Sequence, residues 1–329
     1  MIEIRNLTVH FPVRRGLFRR ITGYVHALTR VSLSIAPGQI IGICGESGCG
    51  KTTLGRCVAH LLEPDSGIIL VEGHPVDIKC SSEKKKFVQS VQIVFQDPLS
   101  SLNPRKTIGQ ALQEPLMYGP LGLNKIEAKR RAVDCLKKVG LSAEIMDRYP
   151  HQFSGGQQQR ICIARALSFQ PKLIVCDEVL SALDLSIQAQ IMQLLKELRD
   201  ETGVSILFIS HDLAVVRQLC DKLAIMYLGE IIEQGPTEQV LIRPYHPYTQ
   251  SLIASMPIGR KEDKHRETPL RLLKDEPPSA MNPPSGCRFH PRCYLATATC
   301  ADEHPPYQTN ASGDRSWRCI WSFENQEPL

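Results

Sequence analysis

The sequence predicts an α/β fold: a mostly parallel sheet with helices on both faces and an antiparallel edge, an inserted helical subdomain and a small C-terminal appendix. Three observations carry this prediction. Short apolar runs alternate with helix-period segments along most of the chain, the pattern of a parallel sheet built from βα units. One run, Ile40-Ile41-Gly42-Ile43-Cys44, leads directly into Gly45-Glu46-Ser47-Gly48-Cys49-Gly50-Lys51-Thr52, which matches G-x-x-x-x-G-K-[ST] between a strand and a helix. Two later runs end in Asp177-Glu178 and His211-Asp212, and open parallel sheets bind ligands outside the carboxyl ends of their strands.

The loop's residue types follow from phosphate chemistry. Glycines let the backbone turn tightly, so that successive N–H groups and the positive end of the following helix point at phosphate oxygens. Lys51 is placed to reach the β- and γ-phosphates and Thr52 to put its hydroxyl on Mg²⁺, with Thr53 behind them in the helix. A plain glycine turn would leave Lys51 at the loop's inner edge without a partner.

Residues 1–11 alternate as a strand (Ile2, Ile4, Leu7, Val9), and Val31 to Ile35 alternates again before Pro37-Gly38, so an antiparallel edge is expected to lead into the first parallel strand. Phe11 closes the first run, where an aromatic can stack on a base or lie half-buried in a strand. Gly67 to Gly73 reads as a strand and turn, and Val91 to Phe95 as a strand ending at Gln96. From 107 to 150 the period becomes helical (Ala128, Ala132, Leu136, Val139), closed by Gly140. Ser154 is a good N-cap for a helix through Ile161 and Leu167. Lys172 to Cys176 and Ser205 to Ile209 read as buried strands, and 223–235 as a hairpin. The boundaries drawn from this are a nucleotide-binding core over 1–97, a helical subdomain over 98–164, the rest of the core over 165–236 and a Pro-rich extension over 237–329.

Composition sets bounds on function. A chain of 329 residues, 42% hydrophobic and 22% charged, is ordinary for a folded soluble protein. No apolar segment approaches the ~20 residues of a membrane-spanning helix, and the N-terminus lacks a signal-peptide core, so cytosolic residence is expected. A net charge of +5 without a dense basic face argues against nucleic acid. Arg14, Arg15, Arg19 and Arg20 read as a solvated loop, with contact to anionic lipid as the alternative. Of twelve cysteines, eight are scattered, several of them within apolar runs, and read as small core hydrophobes. Cys287, Cys293, Cys300 and Cys319 crowd a loop-rich segment, where burial as hydrophobes explains them poorly.

The phosphate loop, Gln96, Ser154-Gly155-Gly156-Gln157, Asp177-Glu178, Ser181 to Asp184 and His211, in this order, resemble the ATP-binding cassette (ABC) ATPases, phosphate-loop NTPases with a RecA-like core. The resemblance covers residues 2 to about 240 and implies roles. Asp177 would hold the Mg²⁺ shell and Glu178 would act as general base on the attacking water. Gln96 would orient water or Mg²⁺ and report to the helical subdomain, and His211 would contact the γ-phosphate. Ser154 to Gln157 would complete the ATP site of a second cassette, with the loop to Asp184 at the junction. Phe153 stands where the family usually has Leu, and Val179 where it usually has Pro. Both changes are apolar and spare the reacting groups.

Arg243 to Leu252 and Asn282 to Cys293 further resemble the ATPase subunits of oligopeptide and dipeptide importers, a group that includes nickel importers. The resemblance implies a subunit that drives import through ATP-dependent dimer closure. It implies three partner types: two permease subunits, an external substrate-binding protein and a second, commonly non-identical ATPase. It also implies a peripheral place on the cytoplasmic face of the inner membrane. Two other classes compete with this reading. Soluble cassette ATPases acting on nucleic acid or ribosomes generally carry paired cassettes or a coiled-coil insertion, which this chain lacks. A metal- or redox-sensing module with a decayed ATPase would show broken motifs, and these are intact.

The four C-terminal cysteines, separated by five, six and eighteen intervening residues, are read as ligands of one metal centre that supplies folding energy to a core-poor appendix. The importer resemblance favours a [4Fe–4S] cluster. Zinc is the rival, though no short C-x₂₋₄-C knuckle is present, and unliganded thiols are the third possibility. His290 and His304 lie nearby. The expected role is structural, because nothing in the sequence places the centre near the phosphate loop.

Overall fold

The computed structural model describes residues 1–16, 20–76, 80–255 and 276–321. In chain order its first half contains β1 (Ile2–Arg15), β2 (Arg20–Ile35), β3 (Ile40–Cys44), α1 (Lys51–Val58), β4 (Ser66–Val71), β5 (His74–Pro75), α2 (Ser81–Ser90) and β6 (Val91–Val94). The helical segment follows as α3 (Pro98–Ser101), α4 (Ile108–Tyr118), α5 (Lys125–Lys138) and α6 (Gly155–Leu167). Then come β7 (Leu173–Asp177), α7 (Leu185–Thr202), β8 (Ser205–Ile209), α8 (Leu213–Leu219), β9 (Lys222–Tyr227) and β10 (Glu230–Pro236). The appendix adds α9 (Thr237–Ile242), α10 (Pro247–Ala254), α11 (Ala298–Asp302), β11 (Gln308–Thr309) and β12 (Ser316–Trp317).

The strands form two sheets. In the larger, ordered β11-β12-β10-β9-β3-β8-β7-β6, the strands from β9 to β6 are mutually parallel and β10, β12 and β11 add an antiparallel edge. β2, β1, β4 and β5 form a separate antiparallel sheet. One expectation is corrected here: the N-terminal strands are not the edge of the parallel sheet. Helices lie on both of its faces, but on one face α1 and α2 share the cover with the small antiparallel sheet.

Period-two alternation explains the layering, because successive strand residues point to opposite faces. Ile41, Ile43, Val175, Leu207, Ile209 and Met226 face one core, shared with Ile4, Leu7, Leu33 and Ile69 of the small sheet and Leu54 of α1. Ile40, Ile174, Cys176, Ile206, Phe208 and Ile225 face the other core, shared with α4 to α10. Each such side chain, fully buried, contributes about 1.5–3 kcal/mol. The long β1 and β2 arms also reach further than the alternation suggested: Arg14 pairs with Ile21 and Arg15 with Arg20, so these arginines sit on extended strands. Arg19 lies outside the described residues.

Local signals set the helix starts. Thr107, Asn124 and Ser154 each form a capping box, with Gln110, Glu127 and Gln157 reaching back to the cap, which satisfies N–H groups that a helix start leaves open. The scattered cysteines behave as core hydrophobes except Cys80, which is exposed. Burial pushes the Cys57 and Cys176 thiols up to about 12.

The appendix is not a free-standing, core-poor unit. β12 extends the large sheet by pairing with β10, Trp317 is 2% exposed and packs at 4.3 Å from Tyr245, and Phe289 joins the helical core. Its main polar anchor is Glu233, which is fully buried. That carboxylate accepts the backbone N–H groups of Tyr245 and His246, both at 2.9 Å, and pairs with Arg315 at 2.5 Å. Removing one member of a buried pair leaves the other charge uncompensated. Glu233→Ala is therefore expected to lower unfolding stability by about 3–5 kcal/mol, measured by denaturant titration; a loss comparable to a surface substitution would refute the anchor.

Candidate nucleotide site

The phosphate loop turns where β3 ends, and three glycines meet steric demands there. A Cβ on Gly45 would lie 2.2 Å from the Met226 carbonyl, and one on Gly50 would lie 2.4 Å from that of Ala27. Gly48 and Gly50 adopt φ of +77° and +109°, which side chains resist. Lys51 is buried and donates from Nζ to the carbonyls of Gly45 at 2.8 Å and Glu46 at 2.9 Å. The ammonium is thus partnered within the loop itself. Thr52 Oγ1 donates to Asp177 Oδ1 at 3.1 Å. Gly55 lets α1 settle onto the sheet, since a Cβ there would meet Ile209 Cδ1 at 2.7 Å.

The strand ends bring the remaining acids and bases to the same edge. Burial raises the Asp177 carboxyl above its ordinary value, while the Thr52 hydroxyl opposes this and the Glu178 charge adds to it. Glu178 follows β7 with φ +50° and donates its N–H to Ile209 O at 3.0 Å, so its carboxylate projects beyond the strand. His211 Nδ1 lies 3.6 Å from Glu178 Oε2. Gln96 Nε2 donates to Ser181 Oγ at 3.2 Å, and that hydroxyl donates to Glu178 O at 2.9 Å. A chain of contacts therefore runs from the end of β6 across to the end of β8. Val179 is buried at 2% exposure, so an apolar side chain suits the turn after Glu178. Phe153 lies beneath the Arg148 guanidinium, 4.7 Å from its ring centroid.

The remaining predicted residues bond elsewhere. Ser154 to Gln157 bond within their own helix start, and Gly156 is pressed against Ile187 of α7, where a Cβ would meet it at 2.6 Å. Asp184 is the N-cap residue of α7, without a side-chain cap bond. Phe11 is 39% exposed on β1 and pairs with Val25, two residues before the Ala27 that Gly50 abuts.

Thr52 and Asp177 present two hard oxygens side by side, the kind that Mg²⁺ takes along with phosphate oxygens and water. The metal-binding appendix gains no support. Among the described residues, no group of three or more His, Cys, Asp or Glu side chains could hold a metal ion. Cys319 lies in a cluster with Tyr245 and Trp317, and Cys287 and Cys293 pack against the helical core. His304 pairs with Glu230 at 3.0 Å and His290 with the Cys287 carbonyl at 2.9 Å. The appendix, which nothing in the sequence placed near the phosphate loop, reaches that loop. Glu46 N–H donates to Tyr248 Oη at 2.9 Å, and its carboxylate binds Arg292. Neither partner carried a chemical signal in the sequence, although both stood inside stretches already noted for their resemblance.

Residues 28–181 match the ABC transporter family model, and residues 232–300 match that for the oligopeptide/dipeptide transporter C-terminal region. An oligopeptide transport ATP-binding protein of Bacillus subtilis is 44% identical over 94% of this chain and 94% of its own length. This chain belongs to the ABC transporter ATPase family. A dipeptide transport ATP-binding protein of Haemophilus influenzae is likewise 44% identical, over 95% of this chain and 94% of its own length. Among solved structures, a dimeric ATP-binding cassette bound to ADP and Pi superposes with TM-score 0.62 and 30% identity, covering 72% of this chain and 99% of that one. An ABC transporter component of Clostridium perfringens gives TM-score 0.63 and 29% identity, over 74% of this chain and 90% of that one. The chain is accordingly an ABC ATPase, with ATP and Mg²⁺ its expected cofactors.

The raised Asp177 carboxyl has a stability consequence. A carboxyl whose folded pKa exceeds its unfolded value destabilises the fold fully above that raised value, and the penalty fades as pH falls through it towards the ordinary aspartate range. Asp177→Asn is expected to stabilise the nucleotide-free protein by about 0.5–2 kcal/mol at neutral pH, and to lose that advantage once Mg²⁺-ADP is added. Thermal melts with and without ligand read both effects; an unchanged apo melting point would contradict the desolvation account.

Proposed function

We propose that this chain is the energy-coupling ATPase subunit of an importer for dipeptides and oligopeptides. The observation that carries the reading is the joint match of a cassette and the oligopeptide/dipeptide transporter C-terminal region in one chain, with the phosphate loop, Thr52–Asp177 and Glu178–His211 at one sheet edge. Lys51 compensates phosphate charge, and Thr52 and Asp177 hold Mg²⁺. Gln96 orients water or metal and relays to the helical subdomain, while Phe11 stacks on the base. Glu178 takes the proton of the attacking water, and His211, within reach of its carboxylate, faces the γ-phosphate. Loop residues 45–50 and Thr53 enclose the phosphates.

The signature residues Ser154, Gly155, Gly156 and Gln157, with Asp184, serve the site of a second cassette. Their bonding within their own helix start supports this, as does the dimeric state of the related cassette. The partners in this reading are a second ATPase subunit, two permeases and an extracytoplasmic substrate-binding protein. No helix among the described residues is long and apolar enough to cross a membrane, which suits a peripheral subunit on the cytoplasmic face.

The finer reading of the appendix is that Cys287, Cys293, Cys300 and Cys319 accept a [4Fe–4S] cluster. Two hydrogen bonds support it: Cys287 N–H donates to Cys300 O at 2.8 Å, and the Trp321 indole donates to Leu295 O at 3.0 Å, which draws the Cys319 segment beside the Cys293 turn. A cubane places each thiolate on a different iron, so its ligands stand further apart than those of a single zinc ion. Protein purified without oxygen should be brown, with about four irons per chain; colourless, iron-free protein would refute the cluster.

Two substitutions test the hydrolytic assignment. Lys51→Ala should abolish nucleotide binding, whereas Glu178→Gln should bind ATP and stall in a closed dimer, with turnover reduced about a hundredfold or more. Steady-state hydrolysis of the assembled transporter measures both. Normal turnover in Glu178→Gln would remove it as the base, and intact peptide uptake by a transporter carrying Lys51→Ala would sink the coupling role.

A further inference from the structure

Arg292 belongs to the appendix by sequence, and its guanidinium ends on the phosphate loop. It closes a single helical turn, His290–Arg292, and donates from Nη1 and Nη2 to the two carboxylate oxygens of Glu46 at 2.8 and 3.0 Å. Its side chain is only 4% exposed, and Nη1 also reaches Tyr227 Oη at 3.4 Å. Planar, two-point pairing of this kind fixes geometry as well as charge. On the same loop residue, the buried Tyr248 of α10 accepts the backbone N–H at 2.9 Å. Side chain and backbone of Glu46 are therefore both held by groups from the C-terminal part of the chain.

The charge of Glu46 makes this anchoring consequential. It is the loop's only acidic residue, and a carboxylate free to swing would face incoming phosphates with charge of the same sign. Its carbonyl holds the Lys51 ammonium at 2.9 Å, so its backbone also sets where that ammonium starts.

We propose that Arg292 is a positioning residue for nucleotide binding: it holds the Glu46 carboxylate away from the phosphates and links docking of the cysteine-rich appendix to occupancy of the nucleotide loop. The inference rests on the reading that residues 45–52 hold the nucleotide. Coupling between two sites is reciprocal, so the appendix tightens the loop and nucleotide in turn tightens the appendix.

Equilibrium binding of Mg²⁺-ADP to the full chain, followed by calorimetry, tests it. Arg292→Gln should weaken binding about tenfold, within the usual span of coupling between sites. Adding Glu46→Gln to that variant should restore most of the loss, because the unpaired carboxylate is then gone. A merely architectural Arg292 would show no such rescue. Wild-type affinity in Arg292→Gln, or an unrescued loss in the double variant, overturns the proposal. Lys51→Ala serves as the control for the underlying reading: if it binds Mg²⁺-ADP normally, the loop assignment itself has failed. Hydrogen exchange on the unsubstituted chain gives a test independent of whether any variant folds. Mg²⁺-ADP should slow exchange across residues 286–293, and unchanged exchange there would overturn the coupling.

Discussion

Burial of both faces of the parallel strands β9-β3-β8-β7-β6 is the constraint on which the rest of the molecule depends. Parallel strands flanked on both sides cannot place polar side chains along their length without an unmet desolvation cost. Polar chemistry is therefore driven to the carboxyl ends, where the backbone leaves the sheet. Gly45, Asp177, Glu178 and His211 lie within a few residues of those ends, and the pairing of β3 with β8 and of β8 with β7 brings their exits side by side. The register that buries Ile43, Val175 and Ile209 in one core is the same register that sets Thr52 against Asp177.

The two covering layers differ in kind, and that difference shapes the site. On one face the small antiparallel sheet brings Ala27 against Gly50, so the floor of the loop is a backbone contact with no room for a side chain. On the other face α6, α7 and α8 attach to the strand ends through short connections. Gln96 and Ser181, bonded at 3.2 Å, join the helical segment to the turn after Glu178. Movement of the helices is thereby connected to the residue expected to activate water, through a contact with few intervening atoms.

The appendix shows how a Pro-rich segment is ordered by what it packs against. Its strands are two residues long, and its ordering comes from β10, from buried Glu233 and Arg315, and from Tyr245 against Trp317. A second polar anchor joins it to the cassette: Glu230, 4% exposed, pairs with Arg288 at 3.2 Å and His304 at 3.0 Å. These ties hold the segment carrying Arg292 firmly enough for one guanidinium to reach the phosphate loop.

Local patterns in the sequence determined most of the core strands, the phosphate loop, the Ser154 helix cap and the two strands ending in acids and a histidine. Each is written in a few adjacent residues: glycines where the backbone must turn, period-two apolar runs, a capping residue three positions before its partner. The tertiary structure decided the rest. A split of the N-terminal strands into a second sheet depends on which edge they pair with, and alternation alone cannot specify a pairing partner. The packed fate of Cys287, Cys293 and Cys319 depends on Trp317, Tyr245 and the helical core lying beside them. The grip of Arg292 and Tyr248 on Glu46 joins residues more than 200 positions apart, and a contact of that span leaves no trace in local spacing, because it exists only once both cores have closed.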